Sequence, residues 1–178
     1  RGDLEYHVDS SDFDSPNLTE AFISQSSGST GNPSRTKLDL DYLMHNSRNY
    51  SLMYEMVGIF DAPTAAWTSF LPIPTITNMS LSSSLRGTRA HKWFSPTRFA
   101  TLSPAWYYTL LSYFMAIIVR LNGQYYPFPE FVPMDDPSPI ARWIVKAVKE
   151  HGRCMVGMTV SRALRLSIVA QEQGLDLT

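Results

Sequence analysis

The run Ser26-Ser27-Gly28-Ser29-Thr30-Gly31-Asn32-Pro33 sets two glycines three residues apart among four hydroxyl side chains and closes with proline. Glycine lets a backbone approach a ligand closely, and N–H and hydroxyl donors turned into one concavity suit an anion. A phosphate chain is the anion that uses so many donors. Arg35 and Lys37 stand just beyond the run and are candidates for the positive charge such a site needs. The phosphate-binding set read from the sequence is therefore Ser26, Ser27, Gly28, Ser29, Thr30, Gly31, Arg35 and Lys37. Apolar Phe22 and Ile23 lead into the run and an amphipathic segment follows, which reads as strand, loop, helix. The positive end of that helix is expected to face the anion.

Other glycine-loop chemistries do not fit. A Walker loop needs Gly-x-x-x-x-Gly-Lys-Ser/Thr and a dinucleotide fingerprint needs Gly-x-Gly-x-x-Gly, and the chain has neither. Ser34-Arg35-Thr36-Lys37 matches Ser-x-x-Lys of the penicillin-binding enzymes, without the Ser-Asp-Asn or Lys-Thr-Gly that would support it. A solvated Ser/Gly linker is the plain alternative, and the closely flanking strand and helix signals oppose it.

Ser26 to Pro33 resembles, without a gap, the phosphate loop of the adenylate-forming superfamily: acyl-CoA synthetases, aryl-CoA ligases, luciferases and peptide-synthetase adenylation domains. The family loop usually continues with lysine, where this chain has Ser34. The resemblance implies ATP and Mg²⁺ as cofactors and a carboxylic acid as substrate. The acid attacks the α-phosphate of ATP to give an acyl-adenylate and pyrophosphate, and the acyl group then passes to CoA or to a phosphopantetheine arm. A fatty or aromatic acid with CoA as acceptor is the leading expectation; an adenylation domain loading an acyl carrier protein follows it. The family's later elements have no counterpart here: the adenine-binding glycine-rich turn, the aromatic-Gly-x-Thr-Glu motif, the ribose aspartate and the distal catalytic lysine. Residues 21–178 are thus expected to form part of an AMP-binding domain, ending about where the adenine turn should begin and inactive by itself. Residues 1–20, polar and acidic, are expected to be an irregular approach segment. A non-catalytic phosphate- or nucleotide-binding module is the alternative, favoured by Ser34 in the lysine position.

The 178-residue chain has a net charge of −1, which points to neither nucleic acid nor an anionic membrane as partner. Its single cysteine, Cys154, excludes a disulfide within the chain, and a cytoplasmic location is the expectation. The four histidines are scattered, so no local zinc motif exists and no metal ligand is assigned.

The elements that must position the loop follow from periodicity and punctuation. Residues 38–58 read as a helix with Leu43, Tyr50, Met53, Tyr54 and Val57 on one face and Asp39 and Asp41 at its N-terminal turn. Residues 65–74 read as a strand ended by prolines, with Leu71-Pro72 where the family has a Leu-Pro-x-x-His motif and Thr75 in the histidine position. Residues 80–98, rich in serine and carrying Arg86, Arg89, Lys92 and Arg98, read as a solvated loop; a mobile segment near the phosphates or the thiol partner is the sharper alternative. Ser103-Pro104 and Asn122-Gly123 bracket a helix, too polar at Tyr107, Tyr108, Thr109, Ser112 and Tyr113 to span a membrane and expected to lie in a large core. A short strand over 125–133, a helix opened by Asp136-Pro137 with its stripe at Ile140, Trp143, Ile144, Ala147 and Val148, a strand over 154–158 and a helix over 161–173 complete the chain. Alternating strands and helices predict an α/β fold with a mostly parallel sheet flanked by helices.

Overall fold

The computed structural model describes residues 7–13, 15, 18, 22–25, 35–70, 75–88, 90–98 and 106–177. The fold is α/β. Strands β1 (Phe22–Gln25) and β2 (Arg35–Leu38) form an antiparallel hairpin, followed by α1 (Leu40–Met56), β3 (Thr64–Trp67), α2 (Thr75–Leu85), β4 (Ala90–Ser95), α3 (Trp106–Leu121), β5 (Pro129–Phe131), α4 (Ser138–His151), β6 (Met155–Gly157) and α5 (Val160–Glu172). The main sheet has the order β5-β4-β3-β6, with every neighbouring pair parallel. In the approach segment, a 3-10 turn covers Ser10–Phe13.

The central strand explains the layering. All four residues of β3 are buried, as expected of a parallel strand covered on both faces. Side chains alternate across it. Ala65 and Trp67 join Phe94, Val132, Ile140, Ile144, Leu166 and Ala170 in one core, which α4 and α5 cover. Ala66 joins Trp93, Phe70, Ile76, Met79, Ala116 and Tyr126 in a second, which α2 and α3 cover. Helix α4 shows the expected apolar stripe, and Gly152 ends it in the left-handed conformation (φ 73°) that glycine takes without strain. Cys154 is half-buried and unpaired, and burial pushes its thiol pKa up.

Four expectations are corrected. Residues 80–98 are not a loop: they finish α2 and form β4, the second strand of the sheet. Helix α2 lies between the sheet and α1, so it is buried on several sides and carries no single apolar stripe. Its contact with α1 is made by small hydroxyls. Ser51 Oγ lies 3.1 Å from Ser82 Oγ, and Ser47 Oγ donates to the Asn78 carbonyl at 3.4 Å. For the same reason the buried stripe of α1 runs through Leu43, Ser47 and Tyr54, while Tyr50, Met53 and Val57 are exposed.

The strand expected over 65–74 ends at Trp67, after which Thr68 N–H makes one more ladder bond to the Phe94 carbonyl at 3.0 Å. Residues 71–74 lie outside the described residues. Helix α3 ends at Leu121 as expected, the expected start at Ser103-Pro104 lies outside the described residues, and the helix is not wholly buried. Thr109, Ser112 and Ala116 face inward, while Trp106, Leu110, Phe114, Ile117 and Leu121 are exposed. Among the described residues no helix is long and apolar enough to cross a membrane.

Candidate functional site

The glycine-hydroxyl run connects two strands, not a strand and a helix. Gln25 pairs with Arg35, so residues 26–34 link the two strands at that end of the hairpin. Ser26, Ser27, Gly28, Ser29, Thr30 and Gly31 themselves lie outside the described residues. Arg35 opens β2, and Lys37 lies two residues on in the same strand. Lys37 is half-buried and lines a cavity of about 390 Å³ with Leu18, Thr36, Asp39, Asp41 and Tyr42.

The N-terminus of α1 carries a carboxylate of its own. β2 stands between the loop and the helix, and the helix supplies its own anion: Asp39 is the N-cap, and its Oδ1 accepts from Tyr42 N–H at 2.7 Å. The positive end of α1 is therefore already served by a carboxylate.

The hairpin's place relative to the sheet follows from helix register. Ser47 meets Asn78 and Ser51 meets Ser82, so α1 and α2 run in the same direction. Because α2 starts just beyond the carboxyl end of β3, α1 starts at that end too, and β2 with Lys37 leads into it. Ligands of open α/β sheets bind outside the carboxyl ends of the strands, where the strand order reverses. Here the chain moves from β3 outward through β4 to β5 and then crosses back to place β6 on the other side of β3. The reversal point is the gap between β3 and β6.

That gap has an uncommon electrostatic composition. Thr68 and Ser69 follow β3; Thr159, Ser161 and Arg162 follow β6 and open α5. Thr159 is the N-cap of α5 but makes no side-chain capping bond, and its Oγ1 lies 3.2 Å from Ser161 Oγ. Arg162 Nη1 donates to the Trp67 carbonyl at 2.6 Å, and its guanidinium lies over the Trp67 ring, 5.7 Å from the centroid. Burial lowers the Arg162 pKa. A cation in the first turn of a helix also opposes the helix dipole, typically by about 0.3–1 kcal/mol. Trp67 is fully buried, and among the described residues its indole N–H has no acceptor. An unmade hydrogen bond of that kind costs about 1–3 kcal/mol.

Sequence reasoning passed over Arg162 and Trp67. The readable signal was a basic residue in the first helical turn directly after a strand, where an acidic one is favoured. A second cavity of about 460 Å³ lies at the opposite ends of α2 and α3, lined by Gly87, Thr88, Arg120, Gln124 and Tyr125. Its arginine donates Nε–H to the Tyr126 carbonyl at 2.7 Å and covers the Phe128 ring. Among the described residues no group of three His, Cys, Asp or Glu side chains is arranged to hold a metal ion. Comparison with protein-family models, with curated proteins and with solved structures finds no match to this chain.

Proposed function

We propose that the chain is part of an enzyme that uses ATP to activate a carboxylic acid as its adenylate and then passes the acyl group to a thiol. The observation that carries this reading is the run Ser26 to Pro33 as the connection of a two-stranded hairpin, with β2 and Lys37 leading to the carboxyl end of a parallel sheet. Backbone N–H groups and hydroxyls of residues 26–31 would hold the β- and γ-phosphates, with Arg35 or Lys37 supplying charge. Lys37 and Asp41 line one cavity, and that pairing suits a magnesium-bearing phosphate better than a bare one, which the carboxylate would repel. The acid is a fatty or aromatic carboxylate, and CoA is the acceptor, ahead of an acyl carrier protein. A phosphate-binding module without catalysis is the second reading, favoured by Ser34 in place of the loop lysine.

The test is carboxylate-dependent exchange of pyrophosphate into ATP by the full-length protein that carries this chain, with Thr30→Ala beside it. The expected result is exchange in the parent and a drop in adenylation rate in the variant that exceeds its loss of acid affinity. Equal losses in both would refute the role given to Thr30. Tight pyrophosphate binding with no exchange for any acid would establish the binding module instead.

A further inference from the structure

We infer that the outer face of α3 docks a second copy of this chain, helix against helix and antiparallel, across a two-fold axis at Phe114. Docking of this kind is independent of the ligand chemistry proposed above.

Helix α3 is packed inside out. The residues it buries are small: Thr109, Ser112 and Ala116. The opposite face carries the large apolar side chains. Tyr107, Leu110, Phe114, Ile117 and Leu121 recur at steps of three, four, three and four, the spacing of a coiled-coil seam. Trp106, Leu111 and Ile118 flank that seam. Exposure across the face runs from 37% at Ile118 to 81% at Leu121, with Phe114 at 58%. The whole set falls within one arc of about 140° around the helix axis. At about 200 Å² for a fully open side chain of this size, the face leaves roughly 800 Å² of apolar surface uncovered. The largest apolar patch of a typical monomer is about 300–600 Å². One partner brings about 800 Å² to a stable interface, so this face alone supplies what each copy of a dimer needs.

Charge and symmetry select the occupant. The only charged residue of α3 is Arg120, which lies off the seam, donates Nε–H to the Tyr126 carbonyl at 2.7 Å and covers the Phe128 ring. A charged peptide would find no complementary group along the seam. A helix lying in a membrane surface carries Lys and Arg beside its apolar face, and the flanks of this one are Trp106, Leu111 and Ile118. A second copy, by contrast, offers a stripe of the same length, equally apolar and without charge, and identical patches that face each other close into a dimer. Phe114 is the midpoint of the seam, as far in sequence from Tyr107 as from Leu121. Antiparallel pairing therefore sets Phe114 against its own counterpart and Tyr107 against Leu121 of the second copy. It also opposes the two helix dipoles and keeps the two Arg120 side chains at opposite ends of the contact.

The experiment is sedimentation velocity of the 178-residue chain at concentrations up to about 100 µM. The parent should sediment as a dimer of the 20.1 kDa chain at the upper concentrations and dissociate on dilution. Phe114→Asp sets two carboxylates on the axis and should raise the dissociation constant about thirtyfold or more, the scale of a central hot spot, with helical content unchanged. Ile117→Lys probes the same seam and serves if the aspartate form does not fold. Val160→Asp, on a still more exposed apolar residue of α5, should dimerise as the parent does. In a Cys154→Ser background, Phe114→Cys treated with diamide should give one cross-linked dimer. Dimerisation through α3 is overturned if the parent stays monomeric at the highest concentration, if Phe114→Asp associates as the parent does, or if Val160→Asp weakens association as much as Phe114→Asp. It is overturned equally if phosphatidylcholine vesicles float the parent and not Phe114→Asp, which would make a lipid surface the occupant. In the full-length protein that carries this chain, Phe114→Asp should lower the oligomeric mass; a mass unchanged by that variant would assign the face to another segment of the same polypeptide and overturn the dimer.

Discussion

Arg86 is the sharpest place to test how the interior is built. It is only 8% exposed, and its guanidinium is spent inside the protein. Nε donates to the Ser82 carbonyl and Nη2 to Ser83 Oγ, each at 3.3 Å, while Nη1 donates to the Phe60 carbonyl. The cation also lies over the Tyr54 ring, 4.7 Å from its centroid. Burial lowers its pKa, partly offset by Tyr54. Arg86→Ala leaves the Ser82 carbonyl with its helical partner, Arg86 N–H, so the Phe60 carbonyl is the backbone acceptor that loses this donor. That loss costs about 1–3 kcal/mol, and the lost cation–ring contact about 1 kcal/mol more. Relief of a desolvated charge without a carboxylate partner returns part of this. The net expectation is about 2 kcal/mol, a large share of the roughly 5–15 kcal/mol that holds a domain together. In urea, with a slope of about 2 kcal/mol/M, the midpoint should fall by about 1 M. Arg86→Lys should lose more than half as much, because an ammonium cannot reach the three acceptors at once. A midpoint unchanged by Arg86→Ala would show that the side chain is not a structural tie, and that a solvated basic segment near the ligand is the better description of this stretch.

Two further outcomes follow from the packing. Burial raises the pKa of Tyr126 and of Tyr54, so the folded state keeps both protonated after the unfolded chain begins to ionise near pH 10; stability is fully present below that pH and is lost as pH rises through the folded values. Urea midpoints at pH 8 and pH 10.5 should differ, and by less in Tyr126→Phe; equal drops in both proteins would refute the assignment. Asp39→Ala should cost about 1 kcal/mol as a lost N-cap, and an unchanged urea midpoint would show that Tyr42 N–H finds another acceptor.

What could be read in advance was whatever a single element carries within itself. Helix α4 announced its buried face through Ile140, Ile144 and Ala147 and its end through Gly152. β2, α2 and β4 were not readable, each for a physical reason. β2 is four residues of polar and charged character, RTKL, held by pairing with β1 and not by an apolar face. The helix Thr75–Leu85 is buried by three neighbours through serines and an asparagine, so its periodicity is erased by the packing that stabilises it. The strand Ala90–Ser95 carries His91 and Lys92 directly before two fully buried aromatics, and Lys92 reaches out to Glu130 at 2.5 Å. For the candidate site, the glycine-hydroxyl run was legible because its chemistry is local. The contact of Arg162 with the Trp67 carbonyl and ring was not, because it exists only after β3 and β6 are brought side by side.

That side-by-side pairing of β3 and β6 has a consequence in time. Met155 N–H closes on the Pro63 carbonyl at 2.9 Å, yet the ribosome makes about 90 residues between them. At ordinary synthesis rates the free edge of β3 waits roughly 5–20 s for its neighbour. During that wait the most buried strand of the molecule offers an open row of backbone donors and acceptors to any extended chain. The arriving β6 is then made fast by its own clasp: Arg153 donates to the Gly58 carbonyl at 2.6 Å and to Asp61 at 2.5 Å, tying it to the turn that feeds β3. Until β6 is made, the edge of β3 that it covers stays open, so the pairing of β3 with β6 joins two segments that the ribosome delivers far apart in time.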